Sequence, residues 1–329
     1  MSHVFNHLLD KGFIAENSSI AFRHYGKASY VDCVTFTSDT NDFTLTATNV
    51  EWDGTVEYST DHISWMTWDG SAITSTSQKL YLRGYNNTTF WTSGGAQLQL
   101  SGPAGCHGNL NTLLQYDNPP TTLASYCYRY MFGNCTKLTT APELPATTLA
   151  SSCYGYMFYN CTNLTTAPSL PATTLADYCY EFMFSGCANL TTAPELPATT
   201  LASYCYRYMF YECTKLTTAP ELPATTLATS CYDSMFWNCT KLTTVPDLPA
   251  TTLASSCYKS MFRGCSKIKL SETYSSYSGY TTEYRIPKAD TATTASWALN
   301  YMFSSTGGSF KSTPSINTTY YLHNSCSIV

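Results

Sequence analysis

The sequence predicts an α+β chain: an N-terminal antiparallel β-sandwich, then a solenoid with one short strand and one short helix per 26-residue turn. Two observations carry this. From Leu123 to Lys267 nearly the same unit recurs six times, in the form L-A-x-x-C-Y-x-x-M-F-x-x-C-x-x-L-T-T-A-P-E-L-P-A-T-T, and before it hydrophobicity alternates with a period of two. A 26-residue unit cannot bury its apolar side chains alone, so the copies must stack. The register is strict: Cys127, Cys153, Cys179, Cys205, Cys231 and Cys257 recur every 26 residues, and so do Cys135, Cys161, Cys187, Cys213, Cys239 and Cys265.

The expected organisation is a docking segment (1–30), a β-sandwich (31–102), an N-terminal cap of the solenoid (103–122), the solenoid (123–270), and an insertion, degenerate repeat and C-terminal cap (271–329). In the first segment Val4, Phe5, Leu8 and Leu9 follow the i, i+4 pattern of a short amphipathic helix that Gly12 would end. This apolar leader is the candidate docking element. His3, His7 and Asp10 fall on one face of the same helix; a partly solvated surface is the ordinary reading of that spacing, and a metal site the sharper one.

In 31–102 the pairs Val34/Phe36, Leu45/Ala47, Val56/Tyr58, Leu80/Leu82 and Leu98/Leu100 alternate with polar residues, and Asp53-Gly54, Asp69-Gly70 and Asn86-Asn87 supply turns. Trp65 and Trp68, three apart, should point to opposite faces. Within a repeat, Thr148 to Asn160 carries Leu149, Cys153, Tyr154, Met157 and Phe158 at helical spacing behind Thr residues suited to an N-cap, which predicts a short helix. Leu164 to Leu170, with prolines at 168 and 171, predicts a short strand pairing with its copies above and below. The Ala295–Phe303 stretch repeats the Met-Phe pair without flanking cysteines, as a capping turn should.

Charged residues make up 12% of the chain and the net charge is −5, so no basic face exists for nucleic acid or anionic lipid. No apolar run approaches the roughly 20 residues that span a bilayer. The first residues lack the pattern of a secretion signal, which points to synthesis and folding in a cytoplasm and to reduced thiols. Twelve of the fifteen cysteines are repeat columns, suited to packing as small buried hydrophobes; turns about 5 Å apart also satisfy disulfide geometry, so cross-turn bridges are the alternative. C-x7-C is not a zinc spacing.

The rhythm Met157-Phe158-Tyr159-Asn160-Cys161-Thr162-Asn163-Leu164-Thr165 resembles the BspA-type leucine-rich repeats of bacterial surface proteins. The T-T-A-P-E-L-P-A-T-T-L-A-x-x-C-Y-x-x-M-F unit, preceded by Val56-Glu57-Tyr58-Ser59-Thr60-Asp61 with Trp65, is similar to a subgroup found in gut-bacterial and gut-phage structural and adhesion proteins. The resemblance implies strands on a concave side, helices on a convex side, and a surface, adhesion or virion role. Unlike the bacterial members, this sequence shows no signal peptide or cell-wall anchor.

Comparing the chain with itself isolates the positions that the core does not dictate. One variable column reads Arg129, Gly155, Glu181, Arg207, Asp233, Lys259; another reads Gly133, Tyr159, Ser185, Tyr211, Trp237, Arg263. With Tyr126, Tyr178 and Tyr204 nearby, they predict a solvent-facing aromatic patch, and Tyr126, Tyr159, Tyr178, Tyr204, Tyr211, Trp237 and Arg263 are the candidate binding residues. Drift on a solvated face is the ordinary alternative. Glu143, Ser169, Glu195, Glu221 and Asp247 form an acidic column beside Lys137, Asn163, Asn189, Lys215 and Lys241, which reads as charge compensation, with a calcium ladder as the sharper alternative.

No phosphate loop, G-x-S-x-G or H-E-x-x-H is present, so neither an enzyme nor a cofactor is expected. The expected function is non-enzymatic binding on the surface of a bacteriophage particle made in a bacterial cytoplasm. The N-terminal segment would engage virion or self-assembly partners, including a homo-oligomer, and the solenoid a host-surface glycan or protein. A bacterial cell-surface adhesin and an intracellular interaction scaffold are the alternatives.

Overall fold

The structure, a computed structural model, describes residues 33–91, 96–288 and 292–329. The docking candidates Val4, Phe5, Leu8 and Leu9 lie outside the described residues. In the first part of the chain the period of two becomes strands β1 (Val34–Thr37), β2 (Thr44–Thr48), β3 (Trp52–Ser59), β4 (Met66–Thr67), β5 (Ile73–Thr74), β6 (Lys79–Trp91), β7 (Gln97–Leu100) and β8 (Ala104–His107). The short 3-10 turn Leu110–Leu113, capped by Asn109, leads into the repeats. Strand β9 (Leu138–Thr140) belongs to the first repeat.

The order β4-β3-β6-β1-β8-β9 makes one six-stranded sheet, and β5-β2-β7 a second, three-stranded one. Val34, Phe36, Leu80 and Leu82 bury the inward face of the large sheet, as alternation requires. Trp68 is buried with its indole N–H donated to the Ser71 carbonyl at 2.7 Å, whereas Trp65 is half-buried under the Arg83 guanidinium, 4.1 Å from its ring.

A self-contained antiparallel sandwich is therefore not what forms. The pair β8–β9 is parallel, so the large sheet is mixed and runs on into the first repeat. Phe36 meets Phe132 at 6.4 Å, and one hydrophobic core continues from the sheets through every repeat.

The expected helix in each repeat is also overturned: no α-helix occurs among the described residues. Residues 124–135 and their copies are instead a run of four-residue turns, each closed by a residue at positive φ, as at Tyr126, Tyr130 and Asn134 (60°, 62° and 60°). Alternate N–H groups divide the work. Arg129, Met131 and Gly133 donate to the carbonyl three residues back, while Tyr128, Tyr130, Phe132 and Asn134 donate to Cys153, Gly155, Met157 and Tyr159 of the next copy at 2.7–3.0 Å.

A helix advances 400° in four residues and drifts off its face, whereas a four-residue turn returns to the same face each time. Cys127/Tyr128, Met131/Phe132 and Cys135 keep that period of four, and all are buried.

The expected strand in each repeat shrinks as well. Only β9 and β10 (Thr244–Val245) persist as strands in the six units; elsewhere single parallel bridges such as Thr148↔Thr174, Thr192↔Thr218 and Thr200↔Thr226 remain. Two prolines per copy, for instance Pro194 and Pro197, remove the donors that a longer ladder needs. The repeats are thus held by turn-to-turn hydrogen bonds rather than by a helix layer on a strand layer, and the sheets that flank them combine parallel and antiparallel pairs.

Inside the stack, Tyr128, Tyr154, Tyr180, Tyr206, Tyr232 and Tyr258 form a buried ring column with centroids 5.6–6.0 Å apart. Phe132 to Phe262 form a second column, which Phe303 extends at 5.4 Å. All fifteen cysteines are buried. Those of the second cysteine column also tie neighbouring copies together, because Cys161, Cys187, Cys213, Cys239 and Cys265 donate Sγ–H to the phenylalanine carbonyl of the preceding copy at 2.9–3.2 Å.

After the sixth copy the chain forms β11 (Leu270–Ser271), β12 (Tyr280–Ile286), β13 (Thr318–His323) and β14 (Ser327–Ile328). The sheet β11-β13-β12 is antiparallel, and β14 pairs in parallel with β10. Between β12 and β13 the Met302-Phe303 stretch makes a seventh turn, which accepts from Ser256, Tyr258, Ser260, Phe262 and Gly264 at 2.8–3.1 Å.

Candidate functional site

The positive-φ residues of the four-residue turns stand outside the buried Tyr and Phe columns and form columns of their own, in which Ser152, Ser230, Ser234 and Ser260 are themselves buried. The first reads Tyr126, Ser152, Tyr178, Tyr204, Ser230, Ser256 and Trp297; the second reads Tyr130, Tyr156, Phe182, Tyr208, Ser234, Ser260 and Tyr301. Their rings stack wherever neighbours are aromatic. Tyr130, Tyr156, Phe182 and Tyr208 form a continuous pile at 4.5, 4.7 and 4.5 Å, and Tyr178 lies on Tyr204 at 4.7 Å with planes 2° apart.

The seven candidate residues fall into groups around these columns. Tyr178 and Tyr204 are together, with the Arg207 guanidinium 4.7 Å from the Tyr204 ring. Tyr211 meets Trp237 edge-on at 5.5 Å, and Arg263 lies over the indole at 4.5 Å. Tyr208 belongs with the second group, 5.7 Å from Tyr211 and 6.2 Å from Trp237, and the Arg207 guanidinium, 5.9 Å from the Tyr208 ring, lies between it and Tyr204. Tyr159 stands apart against Tyr156 at 5.9 Å, separated from Tyr211 by Ser185 of the intervening turn. Tyr126 is separated from Tyr178 by Ser152 and has Arg129 at 5.7 Å.

Sequence reasoning missed the pile itself. Tyr130, Tyr156, Phe182 and Tyr208 stand immediately before the constant Met-Phe pair, in the slot that also holds serines, and a helical reading disperses that slot around a cylinder. The period of four, with Asn134, Asn160, Gly186, Asn238 and Gly264 in a third positive-φ column, was the available signal, since Asn and Gly are the residues most at home there.

Between the two ring columns runs the charged column. Glu181 and Asp233 are buried rather than solvent-facing. Arg207 Nε donates to Glu181 Oε1 at 2.8 Å, Lys259 Nζ is 3.8 Å from Asp233 Oδ2, and Ser234 Oγ donates to Asp233 Oδ1 at 2.7 Å. Burial raises the Asp233 carboxyl above its ordinary pKa, against the lowering effect of Ser234 and Lys259. Burial also pushes the Tyr156 hydroxyl up to about 12. These charges are compensated in pairs across neighbouring turns, which leaves a stripe of tyrosine edges, hydroxyls, an indole and guanidinium groups facing outward.

Such a stripe binds by contact area and hydrogen bonding; Tyr, Trp and Arg are the residues that dominate interface energetics. Two shallow depressions lie elsewhere, one of about 510 Å³ lined by residues including Asn86, Gln115, Asn118 and Thr122, and one of about 330 Å³ lined by residues including Pro142, Pro145, Pro168 and Pro171. Among the described residues no group of three or more His, Cys, Asp or Glu side chains is arranged to hold a metal ion, and no helix is long and apolar enough to cross a membrane.

Comparison with known proteins gives one family. The family model of the BspA type leucine rich repeat region matches in six copies, over residues 118–243 and 182–281. No curated protein and no solved structure matches the chain. With the 26-residue register, the buried Met-Phe and cysteine columns and this match over one and the same stretch, the chain is a BspA-like leucine-rich-repeat protein.

Proposed function

We propose that this chain is a non-enzymatic binding protein displayed on the surface of a bacteriophage particle, and that the stripe of Tyr178, Tyr204, Tyr208, Tyr211, Trp237 and Arg263 is its recognition face. BspA-like leucine-rich repeats point to a surface- or adhesion-type protein. The observation that carries the recognition face is that aromatic side chains which differ between copies gather into two groups with Arg207 between them, while the constant side chains fill the core. The particle reading is supported by the likeness of the T-T-A-P-E-L-P-A-T-T unit to phage structural proteins.

Because the stacked rings have given their faces to each other, they offer edges and hydroxyls, which suits a protein surface better than a sugar lying flat. Mass spectrometry of purified particles tests the location: the chain should appear in stoichiometric amount. Its recovery only in a bacterial cell-surface fraction would move the display to the cell. Binding of the purified full chain to host cells, competed by excess free chain, tests the recognition face.

A further inference from the structure

The first copy has no copy before it, and its leading edge shows the difference. At every junction between copies the N–H of the first positive-φ residue, from Tyr126 to Ser256, donates to a carbonyl of the following copy, from Ser151 to Ser296, at 2.9–3.1 Å. Beside it Leu123, Leu149, Leu201 and Leu253 donate to the carbonyls of Thr148, Thr174, Thr226 and Thr293 at 3.0–3.4 Å. In the first copy the same two places are held by Ser125 and Thr122, and among the described residues nothing donates to either carbonyl. Thr122, Ser125 and Tyr126 are all exposed. Unpaired acceptors along an extended edge are a template for one more strand.

That edge forms one side of the depression of about 510 Å³, which Thr122 and Leu123 line together with Leu114. The other side is built from side-chain amides. Gln115 and Asn118 are exposed there, and Asn86 of β6 is set deeper, with its backbone N–H donated to the Leu114 carbonyl at 2.8 Å and its Nδ2 to the Leu113 carbonyl at 2.5 Å. Asn86 is 7% exposed and its Oδ1 is buried without a partner, an acceptor that a bound donor would satisfy.

Acceptors therefore stand on both sides of the depression, and no charged side chain among the described residues lines it. A neutral ligand with donors on two opposite sides fits this arrangement. An extended peptide has that form, because successive N–H groups of a strand point to opposite sides. A sugar fits less well, since no aromatic side chain among the described residues lines the depression to take its C–H face.

We propose that this depression binds an extended, uncharged peptide segment of a partner protein by strand addition. One N–H of the segment takes the Thr122 carbonyl, in the place a preceding copy would occupy, and the next turns toward the amides of Gln115, Asn118 and Asn86. The site shares no residue with the Tyr178–Arg263 stripe and goes beyond the surface-binding reading.

The test titrates the full chain, by calorimetry, with a blocked peptide of residues 145–151, P-A-T-T-L-A-S, the stretch that supplies this edge within the stack. It should bind at a single site. Methylation of its leucine nitrogen, which removes the donor for Thr122, should weaken binding about tenfold or more. Asn118→Trp should abolish binding by filling the depression; Asn118 is exposed, so this variant keeps its melting temperature and its binding to host cells. No binding of the peptide, equal binding of the methylated peptide, unchanged binding in Asn118→Trp, or binding of neutral oligosaccharides in place of the peptide overturns the proposal. Peptide binding lost in Tyr211→Ala/Trp237→Ala and kept in Asn118→Trp also overturns it, while leaving the surface-binding reading intact.

Discussion

The ring of Tyr154 lies 6.0 Å from that of Tyr128 in the buried column, yet their hydroxyls meet different fates: Tyr128 Oη donates to the Leu110 carbonyl at 3.1 Å, and Tyr154 Oη is buried without a partner. A buried hydroxyl left unpaired costs about 1–3 kcal/mol, so the two positions should respond oppositely to loss of the oxygen. Tyr154→Phe, and Tyr206→Phe for the same reason, should stabilise the protein by about 1 kcal/mol each, whereas Tyr128→Phe should destabilise it by about 1 kcal/mol. Denaturant midpoints of the three variants check this; a loss of stability in Tyr154→Phe would refute it.

Glu212 sits at φ 59° in the column that elsewhere holds Asn134, Asn160, Gly186, Asn238 and Gly264. A β-carbon at left-handed φ costs about 1 kcal/mol, and Glu has no short side chain to offset it locally. Glu212→Gly should therefore raise stability by about 0.5–1 kcal/mol, read as a higher melting temperature. The reverse change, Gly186→Glu, should be costly, because a β-carbon there collides with the side-chain amide of Asn160.

Burial pushes the Cys135 thiol up to about 11 and the Cys127, Cys179 and Cys231 thiols up to about 12, from an ordinary value of 9.0. The folded state thus holds these protons more tightly than the unfolded chain. Stability from this source is fully present below pH 9 and falls as the pH rises from 9 toward 12, because only the unfolded chain ionises in that window. Urea midpoints should be flat between about pH 7 and 8.5 and drop steeply by about pH 10.5. Native alkylation at about pH 8 should label few of the fifteen thiols, and intact mass should show no disulfide; rapid labelling of most of them would contradict the buried ladders.

Replacing Tyr211 and Trp237 together by Ala removes the edge-on pair and the surface beneath Arg263. Binding to host cells should weaken about tenfold or more, since each good aromatic contact contributes about 0.5–1.5 kcal/mol, while the circular dichroism spectrum is retained. Thr191→Lys with Thr217→Lys, on the proline-rich side, should leave binding unchanged. The opposite pattern would transfer recognition to that side.

What could be read from the sequence, and what could not, follows from the physics of the turn. Identical spacing of Cys127 and Cys153, or of Leu138 and Leu164, fixes which residues pile up whatever the backbone between them does, so the repeat register and its family likeness were legible. The turns were not, because Cys153, Tyr154, Met157, Phe158 and Cys161 fit a helical period of 3.6 almost as well as a period of four over so short a span. Tertiary contact decides: the outward N–H of Tyr154 finds the Cys179 carbonyl at 3.0 Å, a bond that no isolated segment could anticipate. The strand is cut short by proline chemistry visible at Pro168 and Pro171, which outweighs the extended preference of the threonines beside them. For the candidate site, column membership of Tyr178, Tyr204, Tyr211 and Trp237 was legible, but the Tyr130–Tyr208 pile, which meets Tyr211 and Trp237 through Tyr208, depends on the turn geometry.

The donors that leave each copy run parallel to the stacking direction, and this makes the stack a ruler of very fine graduation. A whole 26-residue copy lengthens the assembly by only about 5 Å, the pitch of one hydrogen bond, so six copies reach about 30 Å. Gain or loss of one copy would shift everything beyond it by a single ring spacing without altering any interface. A lineage carrying such repeats could therefore tune the distance between Tyr204 and Trp297 in steps of one stacked ring.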